Sequence, residues 1–372
     1  MRENVEEMSV DYLLVLSTLL LVAIGLVSVY SASSIISGHY YGDSFLFLKH
    51  QAVHVFIGIV ALMIVSRIPY HLYRAITYPF LFLCLIGLVL VLIPGIGRKI
   101  HGAMRWIRVG PFNLQVSEFA KLALIIYLSY SLEKKMDKIK SFSIGFLPHI
   151  LVGGLLAALV LLEPDLGTAL SFMCLVFLLL FIAGARITYL TGAVLAGLPF
   201  LYFLIWNVPY RLERILGFIN PWADPYKRGY HLVHSLMALS NGGFWGVGLG
   251  KSYQKLFYLP EPHTDFILAV IAEELGLFGV IAIVILFGII LWRGILITRN
   301  APDLFGMYLA SGIITMICLQ AVINMGVVTG LLPTKGLPLP FVSYGGSSLL
   351  VSLIGIGIVL NVGRSALEAA QD

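Results

Sequence analysis

The sequence predicts an all-α, polytopic integral membrane protein of ten transmembrane helices, and three observations predict it. Apolar side chains make up 59% of the 372 residues and charged ones only 12%, with a mean hydropathy of +0.95; soluble domains hold about 45–50% apolar residues even with glycine counted. The apolar residues recur in runs of the roughly 20 residues that a helix needs to cross a hydrocarbon core about 30 Å thick. Within each run they are continuous, whereas barrel strands would alternate polar and apolar positions, so helices are the form that satisfies the backbone.

In chain order the runs fall near 12–32, 50–66, 72–93, 115–132, 144–162, 167–183, 187–206, 265–292, 303–330 and 346–363. The first follows Glu3, Glu6 and Glu7 and is longer than a signal-peptide core of about 7–15 residues, so it reads as a retained span. The eighth and ninth are long enough to tilt or to project beyond the bilayer. An even number of spans puts both termini on one side. Segments on that side carry Arg2, Arg67, Arg74, Lys134, Lys135, Lys138, Lys140, Arg186, Arg293, Arg299 and Arg364. The opposite short loops carry fewer, Lys49, Arg98, Lys99, Arg105, Arg108 and Lys335, which makes the terminal side cytoplasmic.

Residues 207–264 form a large extracytoplasmic loop that adds Arg211, Arg214, Lys227, Arg228, Lys251 and Lys255 to the outer face. A basic outer face is either ordinary solvated loop or a surface for an anionic ligand such as a lipid head group or pyrophosphate. Before the last span, Pro333, Pro338 and Pro340 with Gly330, Gly336 and Gly345 forbid a continuous helix. Non-helical backbone at membrane depth is tolerated where it lines protein or a cavity, so this stretch reads as a cavity-lining loop into which Lys335 brings a charge. Cys84, Cys174 and Cys318 lie in apolar runs and read as small buried hydrophobes. With no linker or soluble segment, residues 1–372 read as one membrane domain.

A carboxylate at the mouth of a membrane helix is costly and marks a candidate site. Asp265, after His263 and Thr264, is either a general base at the outer boundary or a first-turn acid capping the eighth helix. Glu273 lies roughly 12 Å further along that helix, and Glu274 faces another way; both read as interhelical supports. Glu118 and Lys121 share a helix face as an i,i+3 pair: either an internal salt bridge, or a Lys121 that faces a cavity and binds phosphate while Glu118 positions it. Asp165, in Glu163-Pro164-Asp165-Leu166-Gly167-Thr168, either caps the sixth helix or helps to hold a divalent cation. Trp106, between Arg105 and Arg108, suits an interfacial anchor, and Gln320 and Asn324, at i,i+4, either bond across helices or line the cavity.

Several ordered blocks carry a resemblance over nearly the whole chain: Arg105-Trp106-Ile107, Ser117-Glu118-Phe119-Ala120-Lys121, Glu163-Pro164-Asp165-Leu166-Gly167, Asn220-Pro221-Trp222, His263-Thr264-Asp265-Phe266, Ala272-Glu273-Glu274-Leu275-Gly276 and Ser343-Tyr344-Gly345-Gly346-Ser347-Ser348. The chain resembles the SEDS family (shape, elongation, division and sporulation). Lys255 to Asp265 and Leu332 to Pro340 resemble its division branch, with the elongation branch as the alternative.

The resemblance implies a peptidoglycan glycosyltransferase of the bacterial inner membrane, acting at the division septum. It would polymerise lipid II with inversion at MurNAc C1 and release of undecaprenyl pyrophosphate. By the family's pattern Asp265 is the catalytic base. Arg105, Lys121, Arg211, Arg214 and Lys335 are the expected cations for pyrophosphate, with Glu118, His263, Thr264, Glu273 and Ser343 in support. The implied partners are a class B penicillin-binding protein transpeptidase and other divisome membrane proteins, with no nucleic acid; the implied cofactor is at most a divalent cation, Mg or Mn, with no assignable ligands. A lipid II flippase and a non-catalytic division scaffold are the competing readings.

Overall fold

A computed structural model describes residues 11–100, 103–110, 112–256 and 258–371. Arg2, counted in the charge balance above, lies outside them, as do Gly102 and Pro111 beside the Arg105 block and Phe257 in the stretch before Asp265. The chain runs α1 (Tyr12–Tyr41), α2 (Leu46–Val65), α3 (Leu72–Leu92), β1 (Gly97–Ile100), β2 (Ala103–Val109), β3 (Phe112–Gln115) and α4 (Val116–Lys134). It continues through α5 (Leu147–Leu162), α6 (Leu166–Ile182), α7 (Ile187–Trp206), α8 (Pro209–Ile219), α9 (Tyr230–Gly242), α10 (Ile267–Asn300), α11 (Leu304–Val328) and α12 (Gly346–Gln371).

Among the described residues eight helices are long and apolar enough to cross a membrane: α1, α2, α3, α5 with the π-helical turn before it, α7, α10, α11 and α12. α6 is apolar but short, and α4 carries Glu118, Lys121, Glu133 and Lys134. All ten expected segments are helical.

The fold departs from the all-α expectation in one place. Residues 97–115, expected as a plain loop, form a three-stranded antiparallel sheet in the order β1-β2-β3. Trp106, Ile107 and Val109 are the β-branched and aromatic residues that favour a pleated surface, and Gly110, at φ 60°, turns β2 into β3. Nor is the 207–264 stretch a structureless loop, since α8 and α9 lie within it.

α9 packs on α10 and α11, and the glycine-rich stretch after it pairs with a break in α10. Gly276 has φ 67° and ψ −162° inside that helix. Across the break Val247 N–H donates to Glu273 O at 2.9 Å, Gly248 N–H to Glu274 O at 3.0 Å and Leu277 N–H to Gly243 O at 2.9 Å. A Cβ on Gly246 would lie 2.2 Å from Glu274 O, so only glycine permits the two backbones to approach this closely.

Two buried clusters make the core. One joins α1, α2, α9, α10, α11 and α12 with Leu175 of α6; the other joins α3, α5 and α6 with Leu190 of α7 and Tyr308 of α11. α4 belongs to both, through Leu122, Ile125 and Ile126 on one side and Leu124, Tyr127 and Leu128 on the other. α7 packs chiefly on α6 and α8, and Leu190 is its one buried residue.

Candidate active site

The sheet, the α5–α6 turn, α8, the start of α10 and the 331–345 loop meet at one end of the bundle. Asp165 caps α6 as expected, accepting from Thr168 N and Thr168 Oγ1, each at 3.0 Å. Arg105 on β2 clasps the turn before it, donating from Nε to Glu163 O at 3.2 Å and from Nη2 to Pro164 O at 2.8 Å, with Nη1 3.4 Å from Asp165 Oδ2. Tyr210 of α8 donates to the same Pro164 carbonyl at 3.2 Å. Arg211, buried, donates to Tyr210 Oη and to Leu204 O, at 3.1 and 3.0 Å, and so joins α7 to α8. Tyr210 is a residue that the motifs did not single out; its position beside two arginines was the available signal.

Side chains of α11 hold the 331–345 loop by two of its carbonyls. Gln320 of α11 donates to Pro338 O at 2.9 Å, and its Oε1 accepts from Lys121 Nζ at 2.8 Å. Asn324, one turn on, donates to Leu337 O at 2.7 Å and to Asp265 O at 2.8 Å. Ser343 Oγ donates to Thr264 O at 2.6 Å, and Tyr344 N–H to His263 O at 2.9 Å. The loop therefore lies against the His263-Thr264-Asp265 segment, with the rings of His263, Phe47 and Tyr344 packed in mutual contact. A Cβ on Gly336 would sit 2.8 Å from Asp265 Oδ2, and one on Gly167 would sit 3.7 Å from Lys335 Cδ. Lys335 thus spans from the loop to the start of α6.

Asp265 does not cap its helix. Phe266 holds the N-cap position, with no side-chain cap bond, and the Asp265 carboxylate has no hydrogen bond or ion pair to any described residue. Glu118, Glu273 and Glu274 are engaged. Glu118 pairs with Lys121 at 2.9 Å. Glu273 accepts from Ser252 Oγ, Gln254 N and Asn241 Nδ2. Glu274 accepts from Ser31 Oγ at 2.6 Å and pairs with Lys255 at 2.7 Å. Both glutamates tie the 241–256 stretch to α10, the bonding role expected of them.

Burial, joined by the charges of Glu261 and Asp165, pushes the Asp265 carboxyl up to about 7, while Arg214 and Arg105 hold it down. Lys335 is lowered from the ordinary lysine value by burial, with the charge of Asp165 opposing. Glu163, 1% exposed and with neither carboxylate oxygen bonded, is pushed up to about 8 by burial and by Asp165, against Arg105. Lys121 is 2% exposed and Arg211 8%; both are committed to protein partners, whereas Arg214 is exposed. Among the described residues no three His, Cys, Asp or Glu side chains are grouped to hold a metal ion. The carboxylates near Asp265 therefore make no cage for the divalent cation that the resemblance allows.

A bundle of apolar helices with an unengaged carboxylate near two arginines at one end defines a polytopic membrane protein. The chain belongs to the SEDS proteins, the FtsW/RodA/SpoVE family: the family model described as "Cell cycle protein" matches residues 11–368.

Its curated relatives are most like FtsW. "Probable peptidoglycan glycosyltransferase FtsW" of Geobacter metallireducens is 51% identical, over 95% of this chain and 94% of the relative. "Stage V sporulation protein E" of Bacillus subtilis is 46% identical, over 96% and 97%. A solved chain described under "Structural coordination of polymerization and crosslinking by a peptidoglycan synthase complex" superposes with a TM-score of 0.77 at 31% identity, covering 96% of this chain and 98% of that one.

Proposed function

We propose that this protein is a peptidoglycan glycosyltransferase that polymerises lipid II, with Asp265 as general base. The observation that carries the proposal is the Asp265 carboxylate: alone among the acids singled out in the sequence it is reached by solvent and engaged by no described residue, with arginines near enough to act on its charge. The relatives named as peptidoglycan glycosyltransferases support the same activity.

Asp265 takes the proton of the acceptor GlcNAc 4-hydroxyl as that oxygen attacks C1 of the donor MurNAc. The C1–O bond to the pyrophosphate breaks with its electron pair on the leaving oxygen, and the anomeric centre inverts. A carboxylate near 7 is matched to this task, because a base is most useful when its pKa lies near the working pH. Arg214 and Lys335 hold the departing pyrophosphate, whose charge grows as the bond breaks, and the charge of Arg105 acts beside them from the turn it clasps. Lys121 and Arg211, expected in the same role, act from their buried positions through the groups they hold, Gln320 and Tyr210. Glu118 fixes Lys121, and His263, Thr264, Glu273 and Ser343 support the segment that bears Asp265.

In this reading α4 and α6 join the eight apolar helices to make ten spans of one domain, both termini are cytoplasmic, and the site opens on the outer face of the inner membrane at the septum. The partner is a class B penicillin-binding protein, in keeping with the synthase complex to which the fold is similar. With that partner the purified protein is expected to build glycan strands from lipid II, and Asp265→Asn to abolish this while the complex and its melting temperature persist. Normal strand synthesis by Asp265→Asn would remove Asp265 from the chemistry.

A further inference from the structure

The two halves of the proposed site come from distant parts of the sequence. Asp265 precedes α10, whereas Lys335 lies in the 331–345 loop between α11 and α12. Something must set their separation, since catalytic groups work only within a narrow range of distances, and a misplacement of about 1 Å can cost roughly 100-fold in rate. Polar links that join the loop to this segment are Ser343 Oγ to Thr264 O, Tyr344 N–H to His263 O, and Asn324. The first two hold its far end. Asn324 holds the near end, next to Gly336.

Asn324 stands in the last turns of α11, 1% exposed. One nitrogen, Nδ2, donates one hydrogen to Leu337 O at 2.7 Å and the other to Asp265 O at 2.8 Å. The geometry requires nitrogen at that position, because an amide oxygen there would face two carbonyl oxygens. Of the side chains that fit, only a carboxamide supplies two hydrogens from one neutral atom. Gln320, four residues earlier, grips the neighbouring carbonyl of Pro338 but bonds no part of the Asp265 segment. Leu337 follows Gly336, the residue whose backbone lies against the Asp265 carboxylate. A shift of the Leu337 carbonyl therefore moves Gly336 and Lys335 relative to Asp265.

We propose that Asn324 is a positioning residue: its carboxamide ties the backbone of Asp265 to the loop bearing Lys335 and so sets the spacing between the base and the cation that meets the leaving group. This rests on the glycosyltransferase reading above.

The test is a double-mutant cycle on the full-length protein in complex with its transpeptidase partner, following strand synthesis from lipid II. Asn324→Asp keeps the shape and removes both donors; Asn324→Ser, a shorter side chain that cannot span the two carbonyls, carries the cycle if the first variant folds poorly. Either is expected to lower kcat about 10- to 100-fold with KM for lipid II changed less than about 3-fold, because the loop stays anchored by Gln320 and Ser343. Combined with Lys335→Ala, the loss should be no larger than that of the more damaging single variant, since a misplaced lysine has little left to lose. Multiplying losses, with kcat falling in step with melting temperature, would show Asn324 to be structural only and overturn the tie. Asp265→Asn, run beside it, separates the two ideas: if that variant polymerises normally the assignment of Asp265 as base fails, and if it is inactive while the losses multiply, only the tie fails.

Discussion

At the scale of single residues, two acids share one neighbourhood and differ in access. Asp265 meets solvent, whereas Glu163 is sealed by the turn that Arg105 clasps. A base must be ionised to work, so strand synthesis under kcat/KM conditions should rise tenfold per pH unit below about 7 and level off above it, where Asp265 titrates. Arg214 favours the charged form, and Arg214→Gln is therefore expected to move that limb to higher pH. A limb that stays in place would mean that another group titrates. The sign for stability is opposite to that of a salt-bridged acid: a carboxyl raised in the fold binds more protons folded than unfolded, so its contribution falls as pH climbs from its ordinary value of 3.8 to about 7. Asp265→Asn removes a partly desolvated charge and should melt at pH 8 no lower than the parent, which separates loss of chemistry from loss of fold.

At the scale of elements, the break in α10 carries the structure that the sequence disclosed least. Hydropathy shows where an apolar run lies but cannot show that Gly276 leaves helical angles, because the run continues through it. The break is stabilised by backbone pairing with the 243–248 stretch and by Glu273 and Glu274. Gly246→Ala meets both a positive φ of 77° and the Glu274 carbonyl, whereas Gly250→Ala meets only a φ of 80° in open space. Left-handed backbone costs an L-residue about 1–2 kcal/mol and overpacking a further 1–3 kcal/mol. Gly246→Ala is therefore expected to destabilise by roughly 3 kcal/mol and Gly250→Ala by roughly 1 kcal/mol, as read by thermal unfolding in detergent. Equal effects would show that the two backbones are not in close contact.

The same contrast runs through the site. The Asp165 cap and the Glu118–Lys121 pair were legible because each is local, a matter of three residues' spacing. The grip of Asn324 on Leu337 and Asp265 joins residues 13 and 59 apart, and nothing in the sequence near Asn324 marks its partners. The sheet is illegible in the sequence because its strands are short and carry Arg98, Lys99, Arg105 and Arg108, charges that read as loop.

At the scale of the molecule, the two clusters are not two domains, because α4 is a wall of both. Leu124 faces the α3–α5–α6 side and Ile125 the α11–α12 side, each 0% exposed; Ile125 Cγ2 would meet a Cβ on Gly312 of α11 at 2.6 Å. In lipid most of the water-transfer gain is absent, so the cost of truncation is mainly the cavity left behind. Leu124→Ala and Ile125→Ala are each expected to cost on the order of 2 kcal/mol. Because one rigid helix carries both faces, either change should lower a single transition, seen alike by tryptophan fluorescence and by circular dichroism. Leu190→Ala, on the thinly packed α7, should lower it far less. Two separate transitions, with Leu124→Ala moving one and Ile125→Ala the other, would mean that the clusters fold independently. Asp265 and Asn324 would then lie in one unit and Arg105, Glu163 and Asp165 would depend on the other, so a single melting curve is also the condition for the site to exist as one object.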